Sequence, residues 1–135
     1  MTERTDWDKA RERVAVEEVI WLVTVSTDDQ PQASPVWAIW DGDGLVIYSQ
    51  PDTGKLANIA SNPKVCLHLD GGVEAGTTVI IEGEAHLSDD PPADQIPAYV
   101  EKYAAAIAGY GWTAESFAAD YSIPLRVTPR RLRTW

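Results

Sequence analysis

The chain has 135 residues, a formal net charge of -10 and an apolar fraction of 44%, a size that supports one domain over residues 1–135 and a composition too apolar for disorder. Its 21 Asp and Glu against 11 Lys and Arg repel phosphate backbones and anionic lipid heads, which argues against nucleic-acid and membrane-surface partners. The single cysteine, Cys66, permits no intrachain disulfide and no Cys/His spacing for zinc, so no metal site is expected; with no signal-peptide core and no apolar run of membrane-spanning length, a cytoplasmic protein is expected.

Thr5-Asp6 followed by Asp8 is an N-cap pattern, and Trp7, Ala10 and Val14 continue a helical spacing to about Glu18. VIWLVTVST then alternates, with Trp21, Val23 and Val25 on one face and Leu22 and Thr24 on the other, and its β-branched content makes it a strand. DDQPQ supplies a turn, ASPVWAIW a second strand, Asp41 to Gly44 a hairpin turn and LVIYSQ a third strand, together an antiparallel meander. GKLANIAS forms two helical turns with Leu56, Ile59 and Ala60 inward, stopped by Asn62-Pro63 because the residue before proline avoids the helical region. KVCLHLD and TTVIIEGEAHLSD read as strands joined across GGVEAG, and Gly83 marks a bulge or bend. Ile96, Tyr99, Val100, Tyr103 and Ile107 lie at helical spacing in a segment that ends on Gly109 and Gly111. TAESFAADY is a further short helix, and Ile123, Leu125 and Val127 belong to the last strand. Six strands with local pairings and no βαβ rhythm predict a mainly β fold, a closed or nearly closed antiparallel barrel with peripheral helices.

Positive charge is scarce in the middle of the chain. Between Val14 and Leu125 it is confined to Lys55, Lys64 and Lys102. Lys55 opens the short helix directly after a strand. A helix N-terminus offers unpaired N–H groups and the positive end of the dipole, and Thr53 with Gly54 lets the backbone approach an anion. The spacing is not a P-loop, since Ser49 stands where its first glycine would be and Leu56 where its Ser/Thr would be. Taken alone, Lys55 is open between a solvated surface charge and an anion ligand. Pro35 inside a strand requires an edge, a bulge or a ligand-facing position. Trp37 and Trp40 are three apart and face opposite sides, so one belongs to the core and the other to a flat pocket or an interface. Tyr48 and Ser49 end the strand just before the lysine helix. His68, His86, Cys66, Glu82 and Glu84 read as structural or solvated groups.

The succession SPVWAIWDGDGLVIYSQPDTGKLANIASNPKVCLHLD, followed by VIIEGEAHL and RVTPRRLRTW, resembles the split β-barrel flavin and deazaflavin oxidoreductases related to pyridoxamine 5'-phosphate oxidase, and within them the actinobacterial branch that uses the deazaflavin coenzyme F420. The likeness covers Val19 to Trp135. It implies a six-stranded antiparallel split barrel of the FMN-binding kind, assembled as a homodimer with two cofactor sites at the interface. Carried over by position, Ser34, Pro35, Val36 and Trp37 run beside the cofactor ring, Tyr48 and Ser49 lie along the ring and its polyol chain, and Lys55 with Asn58 meets the phosphate. The partner subunit supplies the other wall, with the C-terminal arginines and Trp135 as candidates. Flavin mononucleotide members place arginine just ahead of the equivalent lysine to clamp a phosphate dianion. Here Asp52, Thr53 and Gly54 stand instead, which suits the single charge of a phosphodiester, so F420 is the expected cofactor and FMN the alternative. The implied activity is hydride transfer between the reduced deazaflavin and a small unsaturated substrate, with no side chain assigned as catalytic. The rival readings are an FMN oxidase or reductase and a non-catalytic carrier of flavin, deazaflavin or tetrapyrrole. DDQPQ, GGVEAG and the Gly109 to Thr113 turn are the loops expected to shape the open side of the site.

Overall fold

The structure is a computed structural model that describes residues 5–69 and 78–134. The GGVEAG connection and Trp135 lie outside the described residues. In chain order the elements are α1 (Asp6–Val16), β1 (Ile20–Val25), β2 (Pro31–Val36), β3 (Ala38–Asp41), β4 (Gly44–Ser49), α2 (Gly54–Ser61), β5 (Lys64–Leu69), β6 (Val79–Leu87), α3 (Pro97–Gly109), α4 (Ala114–Asp120) and β7 (Ile123–Thr134), with a 3-10 turn at Ala93–Gln95. Among the described residues no helix is long and apolar enough to cross a membrane.

The strands form one antiparallel sheet in the order β2-β1-β5-β6-β7-β4-β3. Its two edge strands are consecutive in the chain and joined through Trp37 alone. Val36 and Ala38 can therefore be no more than about 7 Å apart, so the sheet must curl until its edges meet. This is a split barrel with seven strands, not the expected six. The extra strand arises because the expected second strand is bent at Trp37: its first half pairs with β1, Val36 opposite Ile20, and its second half with β4, Ala38 opposite Ile47. The pairings are also not all local. Closure brings β1 against β5 and β4 against β7. Pro35 lies on the edge strand β2, where the ladder has no further neighbour to lose.

In-and-out alternation continues through the bend. Val36 and Ala38 point into the barrel with Leu22, Ile47, Leu67 and Leu125, while Ala10 and Val14 of α1 and Ile59 of α2 pack onto the same core. Thr5 caps α1 in a capping box with Asp8, the two bonds each 3.0 Å long. In α2 the inward set differs from expectation: Ile59 is buried and Leu56 packs on the core, but Ala60 is exposed and Asn58 is buried. The polar side chain is tolerated there because it finds partners, Thr24 and Gln32.

A second cluster covers the outside of the barrel. Ile39, Val46 and Tyr48 meet Tyr99, Tyr103 and Ile107 of α3 and Phe117 of α4. With the barrel core on one face and these helices on the other, every residue of β4 is buried. Trp37 and Trp40 diverge as their spacing requires. Trp40 packs on the barrel core, edge-on to Trp7 at 6.0 Å, and Trp37 packs among the helices.

Gly83 stands opposite Pro129, and the ladder between β6 and β7 shifts register between Glu82 and Gly83. A Cβ at Gly83 would lie 2.3 Å from the Thr128 carbonyl oxygen, whereas one at Gly109 would meet nothing within 4 Å. Gly83→Ala is expected to destabilise the fold by about 1–3 kcal/mol. Gly109→Ala, in a helix, is expected to be neutral or to stabilise by up to about 1 kcal/mol. Urea unfolding of both variants distinguishes a close backbone approach from a general intolerance of substitution; equal losses would refute the close approach.

Candidate functional site

The bend at Trp37 is held from α3. The Ala38 N–H donates to Tyr103 Oη at 2.8 Å, and that hydroxyl donates to the Glu18 carbonyl at 2.9 Å. Lys102 Nζ donates to the Ala38 carbonyl at 2.6 Å and to the Val14 carbonyl. Burial lowers the Lys102 pKa to about 8, against the raising influence of Glu17 and Glu18. The Trp37 indole lies parallel to the Tyr103 ring, centroids 4.5 Å apart, and stacks on Phe117 at 5.2 Å.

Beside this bend is a cavity of about 330 Å³, at the small end of the range for ligand sites. Pro35, Val36 and Trp37 form one side, Tyr48 and Lys55 another, and the turn between α3 and α4 brings Tyr110 and Trp112. Lys55 is the second residue of α2 and, among the described residues, the one charged group on the wall. Burial lowers its pKa, and among the described residues it has neither an ion-pair nor a hydrogen-bond partner. Thr53, the N-cap of α2, makes no side-chain cap bond; its hydroxyl lies 3.1 Å from Ser49 Oγ, which donates to the Gln50 carbonyl at 2.8 Å. A half-buried, unpaired ammonium next to an uncapped helix N-terminus is suited to an anion.

Tyr48 contributes a wall, and its hydroxyl proton is committed elsewhere. Its hydroxyl donates to the Pro91 carbonyl, and its pKa is pushed up to about 12 by burial and by the Asp90 charge. Asp90 is gripped by Arg126 through bonds of 3.1 and 2.9 Å, and the same guanidinium reaches Asp41 at 2.7 Å. The Arg126 hydrogen bond holds the Asp90 carboxyl below the usual range.

The structure thus brings five of the ten expected contact residues to one cavity: Pro35, Val36, Trp37, Tyr48 and Lys55. The other five do not line it. Ser34 sits on β2 opposite Leu22, Ser49 and Thr53 bond each other in the strand-to-helix turn, and Gly54 is exposed in the first turn of α2. Asn58 is buried, its amide donating to Thr24 Oγ1 at 2.9 Å and Gln32 Oε1 at 2.8 Å, so it ties α2 to β1 and β2. Sequence reasoning missed Val19, Phe117 and Tyr121 in the wall and pointed to the Gly109 to Thr113 turn without its aromatic residues. The signal was GYGWT, two aromatics around a glycine where a helix ends. No residue of DDQPQ lines the cavity. His68 stacks on Trp21 at 6.4 Å, Glu84 pairs with Arg130 at 3.0 Å, and burial raises the Cys66 pKa.

A curled antiparallel barrel with an aromatic cavity beside its bend now permits comparison with known proteins. The family model described as pyridoxamine 5'-phosphate oxidase matches residues 7–135. The chain belongs to the pyridoxamine 5'-phosphate oxidase family. No curated protein matches it in sequence. Among solved structures this family member is similar to a conserved hypothetical protein from Mycobacterium tuberculosis, with 20% identity over 100% of this chain and 89% of that one and a TM-score of 0.76. It is similar to an F420 reductase, with 22% identity, 90% and 94% coverage and a TM-score of 0.65. It is also similar to the heme storage protein HutZ from Vibrio cholerae, with 14% identity, 93% and 92% coverage and a TM-score of 0.63. At these identities the shared property is the fold.

The Lys102 clamp yields a pH test. Below pH 8 the lysine is charged in the folded and the unfolded chain and the burial penalty is fully present; as pH rises from about 8, the unfolded chain alone keeps the proton, so this group's contribution to stability rises. Above about pH 10 the raised Tyr48 pKa acts in the opposite direction. Between pH 8 and 10, denaturant midpoints of the wild type are therefore expected to gain on those of Lys102→Met; a constant difference would refute the burial of a charged lysine.

Proposed function

We propose that the cavity binds a deazaflavin of the F420 type and that the protein is an oxidoreductase passing hydride between this cofactor and a small unsaturated substrate. The observation that carries the reading is Lys55: a half-buried cation with no protein partner among the described residues, at an uncapped helix N-terminus beside a wall of Pro35, Val36 and Trp37. The wall suits a flat ring, and the lysine suits its phosphate. One cation, with Asp52, Thr53 and Gly54 ahead of it, favours a phosphodiester over the dianion of FMN. Among the described residues the cavity wall holds no His, Cys or Met, which does not favour a heme iron.

Such a cofactor, when bound, supplies hydride chemistry. The residues of this chain have the remaining tasks: Lys55 neutralises the anion, the Pro35–Trp37 segment sets the plane of the ring, and Phe117, Tyr121 and Trp112 exclude water. The proposed assembly is a homodimer built on the outer face of β1 and β5, where Trp21 is 37% exposed and stacks on His68.

Fluorescence titration of the purified protein with F420 and, separately, with FMN tests the cofactor. Tighter binding of F420 is expected, weakened in Lys55→Ala by roughly 10- to 100-fold, the loss of a charge-assisted contact of about 1.5–3 kcal/mol. A preference for FMN would move the protein to the oxidase reading, and binding of neither would overturn the cofactor assignment. For the assembly, sedimentation equilibrium is expected to show a dimer that Trp21→Glu converts to monomer; a wild-type monomer refutes the assembly.

A further inference from the structure

Of the large apolar side chains left exposed among the described residues, Val19, Tyr110 and Trp112 all line the same cavity. Tyr110 is 65% exposed and Trp112 38%. Such residues are normally scattered, and their concentration at one cavity mouth marks a contact surface. The backbone that presents them is rigid. Tyr110 is the C-cap of α3, Gly111 follows with φ +77°, the Gly111 N–H donates to the Ala108 carbonyl at 2.9 Å and the Trp112 N–H to the Ile107 carbonyl at 3.0 Å, the bond pair of a Schellman motif. Thr113 then caps α4 through a capping box with Ser116. Two helix caps within a few residues leave the turn little freedom.

The two rings lie 4.7 Å apart at 23° to each other, and both contact Trp37 at 6.4 Å. The Trp112 indole N–H and the Tyr110 hydroxyl have no hydrogen-bond partner among the described residues. Among the described residues no acidic side chain lines the cavity, and its one cation is Lys55. We propose that Tyr110 and Trp112 form a platform that holds a neutral, flat, conjugated carbonyl compound as the substrate, an inference that rests on the reading of the cavity as a cofactor site. The bend at Trp37 takes the cofactor ring, and the more exposed pair at the mouth takes the molecule that arrives second. Stacking selects flatness and conjugation. The free N–H and O–H select a carbonyl oxygen, and a charged substrate finds no partner left once Lys55 is occupied.

The probe is prodan, a neutral acylnaphthalene whose emission shifts on entering an apolar site, titrated into the wild type, Tyr110→Ala/Trp112→Ala and Trp112→Phe, with F420 titrated in parallel. The double variant is expected to lose about tenfold or more in prodan affinity, while Trp112→Phe, which keeps a ring face and loses the indole N–H, is expected to lose less, about threefold. Unchanged affinity in the double variant would overturn the platform, as would competition by saturated trans-2-decalone as effective as that by 2-acetylnaphthalene, because the site would then be merely apolar. If prodan behaves as expected and F420 does not bind the wild type, the platform stands and the cofactor reading falls; the reverse pattern removes the platform alone.

Discussion

Ala38 is the residue on which the rest of the architecture depends. It is the first residue of an edge strand, paired with β4 on one side and with no strand on the other. Buried backbone groups need partners, and here they come from side chains: Tyr103 accepts from its N–H and Lys102 donates to its carbonyl. α3 is thereby fixed against the point where the barrel closes. The stacking of Trp37 on Tyr103 follows from the same contact, so one helix both completes the barrel and orients the ring that borders the cavity.

The two faces of β4 divide the molecule's tasks. Leu45 and Ile47 look inward to an aliphatic barrel core, whereas Val46 and Tyr48 look outward to an aromatic layer under α3 and α4. Aliphatic side chains fill the interior closely. The aromatic layer is built from flat, stiff groups and leaves a slot at its edge. Charge is arranged with similar economy. Arg126 serves Asp90 and Asp41 at once, Glu84 holds Arg130, and the lysine facing the cavity has no partner among the described residues.

Much of the fold was legible in residue periodicity. The α2 helix, the Gly83 bulge and the opposed directions of Trp37 and Trp40 follow from local spacing and sterics, which act within a few residues. The break between β2 and β3 was not legible, because ASPVWAIW alternates without interruption and the bend is imposed by two distant partners, β1 and β4, on its two halves. For the same reason, five of the ten expected residues do not line the cavity. Asn58 carries polar groups that a phosphate could use, but its amide donors are committed to Thr24 and Gln32, which lie far away in sequence. The aromatic wall from α4 was invisible because Phe117 and Tyr121 also satisfy an ordinary amphipathic spacing.

The split at Trp37 also has a mechanical meaning. Everywhere else around the barrel, separating two neighbouring strands would break a ladder of backbone hydrogen bonds, but β2 and β3 share only a peptide linkage and the grip of α3. The break in the ladder therefore runs along the wall of the molecule's own cavity. A guest lodged there and touching both halves would act as a wedge in the seam, stiffening the whole barrel from a single point of contact.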